Sequence, residues 1–122
     1  MAPEVAKRLL EAHAACAAIG SFVRGVEAGG FAESALIRSA VERQFEIIGE
    51  ALGRAVRDEP ALADLMPDIP RIVGLRNRLI HGYDSVDDQI VWDIVQTKLP
   101  VLQATLARQL AAAGFHPGRH GI

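Results

Sequence analysis

The sequence predicts an all-α fold, and two observations carry that prediction. Half of the 122 residues are apolar but only 5% are aromatic, so the core must be filled by aliphatic side chains, which suits helices better than a sheet rich in Tyr, Trp and Val. Apolar residues also recur at steps of three and four, the repeat of one helical face. A chain of this length supports one core but not two, so residues 1–113 are expected to form a single helical domain.

The first helix is expected over residues 4–27, with Val5, Leu9, Ala12, Cys16, Ile19, Val23 and Val26 inward and Gly29-Gly30 as its stop. A second long helix is expected over residues 33–57, burying Leu36, Ala40, Phe45, Ile48, Leu52, Ala55 and Val56, and ended by Asp58-Glu59-Pro60. Gly49 and Gly53 weaken that helix intrinsically. Close approach of a neighbouring helix on their face is one reason to keep them, and plain tolerance is the other.

Residues 58–67 read as a connection with one helical turn at most, around Leu62, Leu65 and Met66. A shorter helix follows over residues 69–81, with Pro70 in its first turn, Ile72, Val73, Leu75 and Leu79 inward, and Gly82 placed to cap its end. Ser85 reads as the next N-cap, with Asp87 and Asp88 adding negative charge to the first turn. The last helix is expected to bury Val86, Ile90, Ile94, Leu99, Leu102, Leu106 and Leu110, and Pro100 should kink or restart it. Residues 114–122 read as a flexible tail. The sum is an antiparallel bundle of four to five helices.

Several function classes are disfavoured. Cys16 is the one cysteine, so neither an internal disulfide nor a cysteine metal site is expected; it reads as a small core thiol in a reducing, cytoplasmic setting. No run of about 18 apolar residues exists, and charges at Glu4, Lys7, Arg8 and Glu11 occupy the place of a signal peptide's apolar run, so neither membrane insertion nor secretion is expected. A net charge of −2 leaves nucleic acid to be met by a local basic patch.

Such a patch exists between positions 71 and 83, where Arg71, Arg76, Asn77, Arg78, His81 and Tyr83 form the densest polar and reactive cluster in the chain. On a helix Asn77 and His81 share a face, and Arg76, about 140° round from His81, has a side chain long enough to reach the same phosphate. A guanidinium stabilises the charge of a pentavalent phosphorane, and an imidazole moves protons near neutral pH. Metal-independent RNA cleavage needs a base for the 2′-hydroxyl proton and an acid for the leaving 5′-oxygen. With one histidine in the cluster, an acid and base pair implies two chains meeting about a twofold axis. Spacing alone is weak support, because Arg8 and His13 have the same separation and no assigned role.

The surroundings of the pair say more. The segment Leu75-Arg76-Asn77-Arg78-Leu79-Ile80-His81-Gly82-Tyr83-Asp84 resembles the signature of the HEPN family, in the form carried by HepT-like toxins that pair with a minimal nucleotidyltransferase antitoxin. The stretches 42–51 and 86–102 resemble that family's second and last helices, and the likeness covers about residues 4–110. It implies a HEPN-like bundle that acts as a toxin, an endoribonuclease with a composite site in a homodimer, open to higher assembly. By the resemblance Arg76 and His81 are catalytic, Asn77 and Arg78 position the substrate, and Tyr83 accepts AMP that the antitoxin transfers from ATP. RNA, tRNA included, is the implied substrate, and neither metal nor cofactor is needed for cleavage. A different class of reading stays open, in which the chain is a non-catalytic nucleotide-binding or scaffolding partner of a nucleotidyltransferase.

Other residues read more simply. Glu42, Glu46 and Glu50 form a carboxylate stripe that suits a solvated helix face. Trp92 reads as core or dimer interface rather than a base-stacking platform, and His116 and His120 have metal-ligand spacing in what reads as a tail.

Overall fold

A computed structural model describes residues 1–81 and 87–116, with the backbone alone at Arg76, Leu79, Ile80 and His81. Its described residues form seven helices and no strand: α1 (Pro3–Phe22), α2 (Ala28–Glu33), α3 (Ala35–Asp58), α4 (Leu62–Leu65), α5 (Ile69–His81), α6 (Asp88–Thr97) and α7 (Leu99–Ala112). The all-helical fold class is as the composition predicts.

The 24-residue α3, roughly 36 Å long, is the central member. It packs against α1 on one side and α5 on the other, and α7 lies on α1. Val41, Phe45, Ile48, Leu52 and Ala55 of α3 are fully buried, as are Leu9, Ala12, Cys16 and Ile19 of α1. These rows repeat at three and four residues, so each helix puts one continuous apolar stripe into a common core. Ser34 caps α3, its hydroxyl accepting from the amide of Ile37 at 3.1 Å.

Four expectations are corrected. The first helix ends at Phe22 rather than near residue 27, because Gly25 takes a left-handed φ of 74° and turns the chain; Gly29-Gly30 lie inside the short α2. Leu36, expected inward, is 81% exposed, because it stands about 180° round α3 from the buried Phe45. Ile90, also expected inward, is 40% exposed in the first turn of α6. The N-cap of α6 is Asp87, not Ser85: the Asp87 carboxylate accepts from the amide of Gln89 at 2.8 Å.

Pro100 does restart the last helix. Thr97 ends α6, Lys98 turns the corner, and α7 opens with Pro100 in its first turn, where no amide is required. Lys98 also faces Asp68 at 3.8 Å, tying this corner to the residue before α5. Past α7, Gly114 adopts φ 90°, and Phe115 folds back on the core with its amide donating to the carbonyl of Leu110 at 2.8 Å.

Candidate functional site on the third long helix

The element that carries the chemistry is α5, Ile69–His81, at the bounds its apolar spacing predicts. Ile69, Ile72 and Leu75 are buried and fasten it to the core, while Pro70 supplies a fixed φ at the start. The opposite side faces water: Pro70, Arg71, Asn77 and Arg78 are all exposed. Position 81 follows Asn77 by four residues, about one turn further along α5. Arg71 and Arg78, seven apart, share an exposed row.

The side chains of Arg76 and His81, and all of Gly82, Tyr83, Ser85 and Val86, lie outside the described residues. The structure therefore brings together the Arg71, Asn77 and Arg78 part of the predicted cluster and the backbone frame of the other two.

Beside α5 runs a cleft that the sequence reading missed. Gly49, Glu50, Gly53 and Arg57 of α3 and Val73 and Asn77 of α5 line an open groove of about 300 Å³. A β-carbon built on Gly53 would stand 4.0 Å from Cγ2 of Val73, an ordinary contact. Close helix approach is thus not what requires glycine at 53. The signal lay in two pairs at helical spacing, Gly49 with Gly53 and Val73 with Asn77, but only their juxtaposition across two helices makes a groove of them.

The remaining candidates settle into structural roles. Glu46 pairs with Arg43 at 3.6 Å and Glu50 with Arg54 at 2.7 Å, both along α3. Partial burial, and then the nearby Asp88 carboxylate, push the Glu42 carboxyl above its ordinary range, against the pull of Arg38. Burial pushes the Cys16 thiol up to about 12 and lowers the His13 imidazole. His116 is exposed, His120 lies outside the described residues, and no metal-ligating cluster occurs among the described ones. Trp92 is half-buried against the core. No helix of the described residues is long and apolar enough to cross a membrane.

Comparison with known proteins finds a family and several relatives. The model of a family described as "Ribonuclease HepT-like" matches residues 12–108, which takes in α5 and the cleft. A Methanocaldococcus jannaschii protein named "Putative RNase MJ1380" is 36% identical over 84 residues, covering 67% of this chain and 74% of its own. A second, from Caldanaerobacter subterraneus and named "Putative RNase TTE0752", is 30% identical over 66% of this chain and 71% of its own. A Thermococcus cleftensis protein named "Probable ribonuclease HepT" is 38% identical over 52% of this chain and 57% of its own. No solved structure matches the chain.

Proposed function

We propose, from the premise that this chain belongs to the HepT-like ribonuclease family, that it is a toxin of the HEPN class that cleaves RNA without a metal ion. The observation that carries the reading is the family match over residues 12–108, which takes in α5 with its exposed Arg71, Asn77 and Arg78. The cluster at 71–83 is also the local basic patch that a chain of net charge −2 needs to hold a polyanion.

In this proposal the 2′-hydroxyl of one nucleotide attacks the adjoining phosphorus, the bond to the 5′-oxygen breaks, and a 2′,3′-cyclic phosphate and a 5′-hydroxyl result. His81 of one protomer takes the proton and His81 of its partner supplies one to the leaving oxygen. The Arg76 guanidinium carries the charge that develops on phosphorus. Asn77 and Arg78 position the strand. The site is composite, so the active species is a homodimer.

Control falls to a nucleotidyltransferase antitoxin. The Tyr83 hydroxyl attacks the α-phosphorus of ATP, pyrophosphate leaves, and the tyrosine carries AMP. That group sets bulk and negative charge two residues from His81, where the RNA phosphate must sit, and blocks cleavage without unfolding the chain.

The experiment is to incubate the purified protein with cellular RNA, tRNA included, beside His81→Ala and Arg76→Ala, with and without chelator. Chelator-resistant cleavage by the wild type alone is expected. Equal cleavage by all three proteins would refute the assignment. Adenine-nucleotide affinity with no cleavage would replace it by the nucleotide-binding, scaffolding reading. Intact mass after co-expression with the antitoxin is expected to show added AMP that Tyr83→Phe lacks.

A further inference from the structure

We propose that Arg57, Arg71 and Arg78 form a phosphate track that grips the RNA strand by its backbone on the water-facing side of α3 and α5, next to the proposed catalytic pair. This deepens the ribonuclease reading and rests on it.

Three observations lead there. The first is where the chain neutralises its cations and where it does not. Arg8, Arg38, Arg43, Arg54 and Lys98 each face a carboxylate at 2.7–3.8 Å. Arg57, Arg71 and Arg78 are exposed and have neither an ion pair nor a side-chain hydrogen bond among the described residues. Acidic neighbours do not change this: Asp58 and Glu59 follow Arg57 without pairing to it, and Asp68, three positions before Arg71, is held by Lys98. Lys7 and Arg24 are unpaired as well, but they belong to α1 and the turn after it.

The second is the place of Arg71. It is the third residue of α5, in a first turn that contains no acidic residue. The positive end of a helix disfavours a cation there, so this guanidinium costs stability that an uncharged side chain would not. A charge kept against the local field is expected where it serves binding.

The third is arrangement. Arg71 and Arg78 are two turns apart in one exposed row, about 10 Å along α5. Arg57 comes from the other helix, one turn beyond Gly53, and lines the groove with Val73 and Asn77. Arg78 lies about 100° round α5 from Asn77, so guanidiniums flank the exposed surface of α5 on both sides. Each can take phosphate oxygens in pairs, and such contacts fix the register of a strand without reading its bases. Position 81 is about 5 Å beyond Arg78 along the helix, so a phosphate held at Arg78 brings its neighbour to the signature.

The test is fluorescence anisotropy of a single-stranded 2′-O-methyl RNA of about 12 nucleotides, measured over a range of salt. That probe has no attacking hydroxyl, so binding is read whether or not the chain cleaves RNA. The proteins are wild type, Arg57→Gln, Arg71→Gln, Arg78→Gln, the triple variant and Arg24→Gln. Each single track variant is expected to weaken binding about fivefold and to lower the slope of log affinity against log salt by about 0.7, and the triple variant lowers it by about 2. Arg24→Gln makes the same change in net charge and leaves both quantities as in the wild type. Melting separates binding from folding. Arg71→Gln is expected to raise the melting temperature by about 1–3 °C, and Arg57→Gln, in the last turn of α3 where the helix end favours a cation, to lower it by about as much.

Unchanged affinity and slope in the triple variant overturn the proposal. So does a wild type that does not bind the probe, or a loss of affinity confined to variants that melt lower. An effect of Arg24→Gln equal to that of the track variants would make the attraction one of net charge alone, and overturns it too. A triple variant that keeps its RNA affinity but loses affinity for a labelled polyglutamate peptide would assign this face to an acidic protein segment, with the same result. Track-dependent binding by a protein that cleaves nothing leaves the track standing and defeats the ribonuclease reading alone.

Discussion

The rings of Phe31 and Trp92 meet with centroids 5.1 Å apart at 38°, locking the short α2 onto α6. Phe31 is fully buried, although its helix has only six residues and could not persist alone. Arg38 reinforces the joint, donating to the carbonyl of Ala32 and facing the Asp88 carboxylate at 3.7 Å. Trp92 is the one tryptophan, so its emission reports on this contact. Phe31→Ala is expected to cost about 3–5 kcal/mol, the usual range for deleting a buried phenyl ring, and to shift native Trp92 emission to longer wavelength. Denaturant melts followed by fluorescence check both. An unchanged midpoint would show that α2 is not part of the cooperative core.

Cys16 gives a second handle on that core. Its thiol is fully buried in the middle of α1 and raised to about 12, so both the thiolate population and reagent access are suppressed in the native state. Thiol-reactive dye at pH 8 is expected to leave the folded protein unlabelled for as long as it stays folded, and to label it at once in denaturant. Labelling then tracks unfolding. Prompt stoichiometric reaction without denaturant would contradict the packing of α1.

Much of the fold was legible because it is written in local periodicity. The bounds of α5 and the restart at Pro100 follow from residues within a few positions of each. The errors lie where periodicity is silent. Leu36 is apolar but stands about 180° round α3 from Phe45, so residue type without register misplaces it, while Ile90 is in row with the buried Ile94 and is left partly uncovered in the first turn of α6. Gly29-Gly30 look like a stop, yet φ is positive at Gly25, and which glycine takes the turn depends on where Phe31 must reach Trp92. The cleft was invisible for a related reason: Arg57 and Asn77 are twenty positions apart on different helices, and only packing joins them.

The same reasoning predicts that the second pair with matching spacing, Arg8 and His13, is inert in catalysis. Arg8 is committed to Glu11 at 3.2 Å, and His13 is partly buried on α1 with its imidazole lowered by that burial. RNA cleavage by His13→Ala is expected to stay within about twofold of wild type. The sign of its effect on stability also follows. A depressed folded-state value means the neutral form is preferred, so the contribution is present above the ordinary 6.5 and is lost as pH falls through the lowered folded value. His13→Ala should therefore flatten the acid side of the stability profile. A cleavage loss as deep as that of His81→Ala would show that spacing alone had been the better guide.

Glu42 tests the opposite sign. Burial, then Asp88 and Glu46, raise its carboxyl, and Arg38 opposes them. With the folded value above the unfolded one, the native state holds its proton more tightly, so stability is greatest below the ordinary 4.5 and declines as pH rises through the raised value. At neutral pH the ionised carboxylate is a net burden, reduced by solvent because the group is only partly buried. Glu42→Gln is therefore expected to melt slightly higher than wild type at pH 7 and to match it below pH 4.5. Arg38→Ala should do the reverse at pH 7, since it removes the one group that favours the charged form and also breaks the pairing with Asp88. In the double variant the loss from Arg38→Ala should shrink, because no charge remains at position 42 for the guanidinium to offset. Melting curves of the four proteins at the two pH values decide the matter. Strictly additive effects at pH 7 would mean that Arg38 acts only through Asp88 and Ala32, and that the charge at Glu42 is a bystander.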